Sequence, residues 1–158
     1  DVSMEPTFDR AGNRVIVFVT PYLFNREPDY GDIVIIDKRV DHERSMRDRI
    51  VESPIISILL RDRNDHLLIK RVIGLPGDLL EFSEGFVYRN GDRLFEAYIL
   101  EPLADDYPSV TVPEDNIYVM GDNRNHSLDS RQLGPIPITN IQGRVLMRFY
   151  PFNKISFY

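Results

Sequence analysis

The 158-residue chain contains no cysteine. This excludes a disulfide framework, a thiol nucleophile and a cysteine-ligated zinc site, although it assigns no compartment. Positive charge is not in excess either. The formal net charge is −6 and the pI is near 5.0, which gives no basic face for nucleic acid. No apolar run approaches the roughly 18 residues of a membrane span, and no signal peptide is recognisable. There is no GxSxG elbow, phosphate-binding loop or HExxH helix, and no metal-ligand spacing stands out. Helical periodicity is scarce, and the best candidate is the short stretch SLDSRQL (127–133).

Short, apolar, β-branched runs are plentiful. RVIVFVT (14–20), GDIVIID (31–37), ISILLRD (56–62), HLLIKRVIGL (66–75), EGFVYRN (84–90), DRLFEAYI (92–99), SVTV (109–112), NIYVMG (116–121) and GRVLMRFY (143–150) are bounded by Gly, Pro, Asn and Asp. That pattern predicts many short strands joined by turns. Asn90-Gly91 lies between two of them and predicts a two-residue hairpin, because both residues tolerate positive φ. Strands without long helical crossovers predict antiparallel pairing and a mostly-β fold. Hydrophobic residues make up 42% and charged residues 28% of the chain, as in an ordinary globular domain rather than a disordered one. The mixed-charge stretch 37–49 reads as a solvated loop or hairpin arm, with a docking surface as the alternative.

Three stretches could carry chemistry. The first is SMEPT (3–7), where Pro6 restricts both itself and Glu5 and places Ser3 just before a rigid turn. The second is HLLIKRVIGLPGD (66–78), where Lys70 and Arg71 interrupt an apolar strand. Strand side chains alternate faces, so one of the two can point to water while the other turns toward the core. A lysine held there loses solvation and its pKa falls, which makes it a usable base near neutral pH. The third is YVMGDNRNHSLDSRQLGP (118–135), a polar stretch directly after an apolar strand. It reads either as turn chemistry or as carboxylates and arginines that brace a reactive group. His126 and Asp129 in this stretch allow a triad with Ser3 to be drawn as well. His42 and His66 sit among charges and read as solvated.

Together these stretches resemble the type I signal peptidases, membrane-anchored serine proteases with a Ser–Lys dyad. SMEPT resembles the nucleophile box, GDIVII (31–36) the strand box, KRVIGLPGD (70–78) the lysine box and GDNRNHSLDSRQLGPIP (121–137) the closing box, all in family order. The tail RVLMRFYPFNKI (144–155) is similar to the Gram-positive-like short forms. The resemblance implies Ser3 as nucleophile and Lys70 as general base, and no metal or organic cofactor is expected because such a dyad needs none. It also implies a lysine-orienting hydroxyl on Ser127, a supporting polar network of Asp129, Arg131, Asp122 and Arg124, and the Ser3 N–H as one oxyanion donor. Many members carry a serine two residues before the nucleophile, whereas Asp1 stands there in this chain.

Further expectations follow from the resemblance. The implied substrate is the signal peptide of a secreted preprotein, extended against strand edges and cut after small residues of the Ala-x-Ala type. Met4, Leu68 and Ile69 are the expected pocket walls. The expected location is the cell membrane, with the catalytic domain on the extracytoplasmic face. An N-terminal transmembrane anchor is expected upstream of Asp1, which would make this chain a soluble truncation with the lipid surface as a partner. The aromatic tail FYPFNKISFY (149–158) suits a lipid boundary or a last strand on the core. The expected architecture is a catalytic core of coiled antiparallel sheets built from 1–78 and 114–158, with 79–113 as a small inserted β-hairpin elaboration. Two other readings are a self-cleaving repressor of the SOS type, which uses a related dyad, and a non-catalytic β module that only binds.

Overall fold

The computed structural model describes residues 2–8, 14–18, 27–39 and 66–158. The expected strand at 56–62 and most of the mixed-charge stretch, from residue 40 on, lie outside them, as does Asp1.

The described residues form eleven strands: β1 (Arg14–Phe18), β2 (Ile33–Asp37), β3 (Leu67–Gly74), β4 (Leu79–Ser83), β5 (Phe86–Arg89), β6 (Asp92–Arg93), β7 (Val110–Thr111), β8 (Asn116–Met120), β9 (Ile136–Pro137), β10 (Ile141–Tyr150) and β11 (Ser156–Phe157). One short helix, α1 (Ser130–Leu133), interrupts them. The larger sheet runs β1-β10-β2-β3-β8-β9, with β11 also on β10, and a four-stranded sheet runs β6-β5-β4-β7. Every pair is antiparallel, as expected of strands joined by short turns. The fold is mostly β.

Local sequence explains most of these elements. β2 is an unbroken buried run, IVIID, between two neighbours, and β-branched residues suit a strand covered on both faces. β4 alternates exposed and buried along LLEFS, the period of a half-buried strand. Asn90 and Gly91 have φ of 55° and 89°, and Arg89 pairs with Asp92, as a two-residue hairpin requires. α1 starts at Asp129, whose side chain accepts from the Arg131 N–H while Gln132 reaches back to the Asp129 N–H; this capping box ends a short loop with a single helical turn. The expected strand at 92–99 stops at Arg93.

Three apolar clusters fill the interior. One joins the two sheets, with Ile73, Tyr118 and Met120 of the larger sheet against Leu80, Phe82 and Val87 of the smaller. The other two lie on opposite faces of the larger sheet: Met4, Phe8, Val15, Val17, Ile33, Ile35 and Val145 on one, and Val34, Ile36, Val72, Ile117, Val119 and Ile136 on the other. The chain's last residue joins the first of these, its ring 5.5 Å from that of Phe8 in an edge-on contact. The aromatic tail therefore ends in a paired strand packed on the core. Phe152 and Phe157 of the same tail remain 74% and 79% exposed, so the tail also presents apolar surface.

Candidate active site

The register of the larger sheet decides where Lys70 stands. Within β3, Lys70 pairs with Val34 of β2. On its other side, β8 reaches only as far as Met120, opposite Arg71. Lys70 thus lies where one neighbouring strand leaves the sheet, and the turn at Ser3 fills the space. Lys70 is fully buried and Ser3 nearly so. Lys70 Nζ donates to Ser3 Oγ at 2.7 Å and to the Ile69 carbonyl at 2.9 Å. Burial, only partly opposed by the charges of Asp129 and Asp122, pushes the lysine pKa down from 10.5 to about 8. Loss of solvation disfavours the charged form, so this lysine spends about a tenth of its time neutral at pH 7, against about one part in 3,000 when unperturbed.

The Ser3 turn is bound to the segment that follows β8. The Asn123 N–H donates to the Ser3 carbonyl at 3.0 Å, and Asn123 Nδ2 donates to the Val2 carbonyl at 3.1 Å. Gly121 makes the approach possible. A Cβ there would stand 2.4 Å from the Ser3 carbonyl oxygen and 2.3 Å from Ser127 Oγ, so a side chain is excluded by sterics rather than by backbone conformation.

Three arginine–carboxylate pairs surround this contact. Asp122 accepts from Arg71 Nε at 2.8 Å and Nη2 at 2.7 Å, and also from Thr7 Oγ1. Asp129 accepts from Arg131 Nε and Nη2, both at 2.8 Å, and from the Gly121 N–H at 2.9 Å. Arg124 Nη1 donates to Glu96 at 2.8 Å, and Arg131 Nη2 donates to the Arg124 carbonyl. Such forked pairs are strong and directional. Burial alone would lower the Arg71 and Arg131 pKa values, but the hydrogen bonds they donate to Asp122 and Asp129, with the charge of those carboxylates, raise them overall. Arg71 also stacks over the Tyr98 ring, 4.1 Å from its centroid, and Tyr98 donates to Glu96 at 2.9 Å.

Seven sequence-predicted residues therefore meet in one region: Ser3 and Lys70 in contact, Asp122, Arg124, Asp129 and Arg131 in the bracing pairs, and Ser127 against Gly121. Ser127 makes no hydrogen bond to Lys70. Its Oγ is buried without a partner among the described residues, because Lys70 Nζ is turned to Ser3 and Ile69. The triad is not assembled. His126 is exposed in the short 3-10 turn Arg124–His126, and the Asp129 carboxylate is taken up by Arg131 and Gly121. Met4, Leu68 and Ile69 do not form one wall. Alternation along β3 sends Ile69 to the cluster that holds Met4, while Leu68 packs on the opposite face with Val34 and Val72. Met4 itself is 3% exposed.

Sequence reasoning missed Thr7, Glu96, Tyr98, Gly121 and Asn123 as members of the site. Thr7, Gly121 and Asn123 lie inside the boxes already singled out. Glu96 and Tyr98 carry no such signal; they come from the segment after β6, 28 residues from Arg124 in the case of Glu96. Among the described residues no cluster of metal-ligating side chains occurs, and no helix is long and apolar enough to cross a membrane.

The family model for signal peptidase, peptidase S26, matches residues 1–150. The probable signal peptidase I-1 of Synechocystis sp. is 38% identical over 152 residues, which cover 96% of this chain and 69% of that protein. The probable signal peptidase I-2 of the same organism is 38% identical over 155 residues, 98% of this chain and 62% of that protein. Thylakoidal processing peptidase 1 of Arabidopsis thaliana is 35% identical over 154 residues, 98% of this chain and 41% of that protein. The crystal structure of a signal peptidase I from Enterococcus faecalis V583 superposes with a TM-score of 0.54 at 26% identity, covering 75% of this chain and 97% of that one. The chain belongs to the signal peptidase family, peptidase S26, and is a serine endopeptidase of the kind that removes signal peptides.

Proposed function

We propose that the chain cleaves signal peptides from exported preproteins by Ser–Lys dyad catalysis, cutting after small residues of the Ala-x-Ala type. The observation that carries this reading is the 2.7 Å contact between Lys70 Nζ and Ser3 Oγ in a buried setting that leaves the lysine pKa near 8. With Lys70 neutral, the contact reverses: Ser3 Oγ–H donates to the Nζ lone pair. Oγ attacks the scissile carbonyl carbon while Nζ takes the hydroxyl proton. The carbonyl oxygen becomes an oxyanion, to which the Ser3 N–H donates. Collapse of the tetrahedral species breaks the C–N bond, and Nζ returns its proton to the leaving amine. The same base then deprotonates a water that hydrolyses the acyl-enzyme and restores Ser3. Ser127, with its buried and uncommitted hydroxyl, is the candidate to turn toward Nζ and orient it. Asp122, Arg124, Asp129 and Arg131 brace the two segments that carry the dyad.

The substrate would lie extended along β3. β8 covers β3 only from Arg71 onward, so the side of Leu67–Ile69 next to the dyad has no strand against it among the described residues. An added strand fits such an edge. Met4 and Ile69, which share one face of that edge, would border the small-residue pocket, whereas Leu68 packs on the opposite face and would not. The exposed Phe152 and Phe157 support a position against a lipid surface; the extracytoplasmic face of the cell membrane is taken from the resemblance alone. For the division of the chain, 1–78 and 114–158 would form the catalytic part and 79–113 an insertion. That is supported by the four-stranded sheet lying wholly within Leu79–Thr111.

The test is cleavage of a synthetic Ala-x-Ala signal-peptide substrate by wild type, Ser3→Ala, Lys70→Ala and His126→Ala, each confirmed as folded by circular dichroism. Turnover lost with Ser3 or Lys70 and kept without His126 is the expected result. Full activity in folded Ser3→Ala, or a requirement for His126 but not Lys70, would overturn the mechanism.

A further inference from the structure

We infer that Asn123 is a positioning residue that aims the Ser3 N–H and fixes the backbone of the nucleophile. The inference rests on the reading of Ser3 as nucleophile and its N–H as oxyanion donor. Asn123 holds both peptide units that flank the Ser3 Cα. Its side-chain Nδ2 donates to the Val2 carbonyl at 3.1 Å, which also accepts from the Glu5 N–H at 3.1 Å. Its backbone N–H donates to the Ser3 carbonyl at 3.0 Å.

The consequence follows from peptide geometry. The Val2–Ser3 bond is not among the cis peptides, and a trans peptide is planar, with its C=O and N–H pointing in opposite directions. A grip on the Val2 oxygen therefore fixes where the Ser3 N–H points, on the far side of the same plane. A grip on the Ser3 oxygen fixes the next plane. Together they set both backbone dihedrals of Ser3, and so the origin from which Oγ reaches Lys70.

Asn123 is well placed to serve as a rigid anchor. It is 3% exposed. Its neighbours on either side, Asp122 and Arg124, are held by Arg71 and Glu96. Its Oδ1 is buried with no hydrogen-bond partner among the described residues. Reversing the amide would set that oxygen against the Val2 carbonyl oxygen, so the donor at Nδ2 accounts for the orientation. A buried acceptor left unpaired costs stability, and a side chain chosen for stability alone would not carry one.

The test compares wild type, Asn123→Ala and the near-isosteric Asn123→Asp, which loses the N–H donor and sets a carboxylate against the Val2 oxygen. Ser3→Ala and Lys70→Ala serve as references. Steady-state cleavage of the Ala-x-Ala peptide is measured across pH 6 to 10. Each protein is also titrated with a substrate-like peptide aldehyde and with the same peptide as a carboxamide. Ser3 Oγ adds to the aldehyde carbon and its proton passes through Lys70 to the medium or the new oxygen, giving a tetrahedral adduct with no leaving group. The carboxamide binds without reacting.

The expected result is a loss in kcat of about 100-fold, the cost of a misplaced reacting group and the low end of that for a lost oxyanion donor, with KM changed less than about twofold. Aldehyde affinity falls by the same factor and carboxamide affinity holds; the acidic limb stays near pH 8 in Asn123→Ala, which adds no charge beside Lys70, whereas the new carboxylate of Asn123→Asp shifts it upward if it shifts at all. Wild-type kcat in either folded variant, a loss confined to KM, or an undiminished aldehyde affinity would overturn the inference. If Asn123→Ala does not fold, Asn123→Asp decides. A failure of the nucleophile reading is recognisable separately, since Ser3→Ala would then cleave the peptide.

Discussion

Replacing Lys70 by methionine tests the central electrostatic claim in two independent ways. Methionine is of similar length, apolar and without a titrating group, so it removes the base while filling much of the same space. Lys70 has its pKa moved from 10.5 down to about 8 by burial, and each unit is worth about 1.4 kcal/mol, so holding it protonated in the fold costs about 3 kcal/mol. The sign follows from linkage. Between pH 8 and 10.5 the unfolded chain keeps the proton that the folded chain has released, so the stability of the wild type rises with pH across that window. The cost is fully present below about pH 8 and gone above about 10.5. Titrations elsewhere are shared by both proteins and cancel in the difference. Chemical denaturation at pH 7, 8, 9, 10 and 10.5 should therefore show wild type gaining about 3 kcal/mol on Lys70→Met from the bottom of the range to the top. In parallel, wild-type kcat/KM should fall about tenfold per pH unit below an apparent pKa of about 8, and Lys70→Met should be inactive throughout. Parallel stability curves for the two proteins, or an acidic limb near pH 6 to 7 that disappears in His126→Ala, would refute the reasoning.

Asp129→Asn removes the largest charge that raises the Lys70 pKa, so residual activity should show its acidic limb shifted below that of wild type. The variant should also lose about 3–5 kcal/mol in denaturation, because Arg131, 1% exposed in its side chain, is left buried and unpaired. Glu96→Gln should cost a similar ~3–5 kcal/mol by leaving Arg124 without its carboxylate, and a melting-point change under about 2 °C would contradict the pairing. Gly121→Ala should abolish cleavage and lower the melting temperature, since the new methyl meets the Ser3 carbonyl at 2.4 Å and neither backbone can yield cheaply. Full activity in that variant would show that the Ser3 turn is not seated against Gly121.

Much of the fold was legible because the strands are made of residues that suit strands. Arg14–Phe18, Ile33–Asp37 and Asn116–Met120 are dense in Val and Ile, and Asn90-Gly91 could adopt the two positive φ angles of its turn. Leu79–Ser83 was overlooked despite its clean alternation, since only Leu80 and Phe82 are buried and the run is short. The reading failed most informatively at 92–99. There the run DRLFEAYI reads as a strand from its apolar and aromatic residues, yet Phe95 is 93% exposed and Glu96 is turned inward onto Arg124. A buried guanidinium outweighs the hydrophobic preference of the neighbouring ring, and no local pattern announces that. The dyad itself spans 67 residues. Only the resemblance of the boxes joined its halves, because periodicity places Lys70 on a face without saying what faces it.

The charges around Lys70 explain why a lysine, and not another cation, can serve here. Arg71, Arg124 and Arg131 are each matched by one carboxylate, Asp122, Glu96 and Asp129. Lys70 contacts a hydroxyl and a carbonyl rather than a carboxylate among the described residues. With Lys70 neutral the patch is balanced. With Lys70 protonated it holds one positive charge too many, on a side chain removed from bulk solvent. Of the four cations it is also the only one able to release its proton, since a guanidinium stays charged in any protein setting. The paired carboxylates still attract that proton and keep the pKa near 8 rather than lower. A base that titrates there is neutral often enough to accept the Ser3 proton and basic enough to hold it until the leaving amine needs it. On the proposed mechanism the arginine–carboxylate pairs would thus act on catalysis at a distance from the substrate: they brace the two segments that carry Ser3 and Lys70, and by consuming one another's charge they leave Lys70 as the group that must give way.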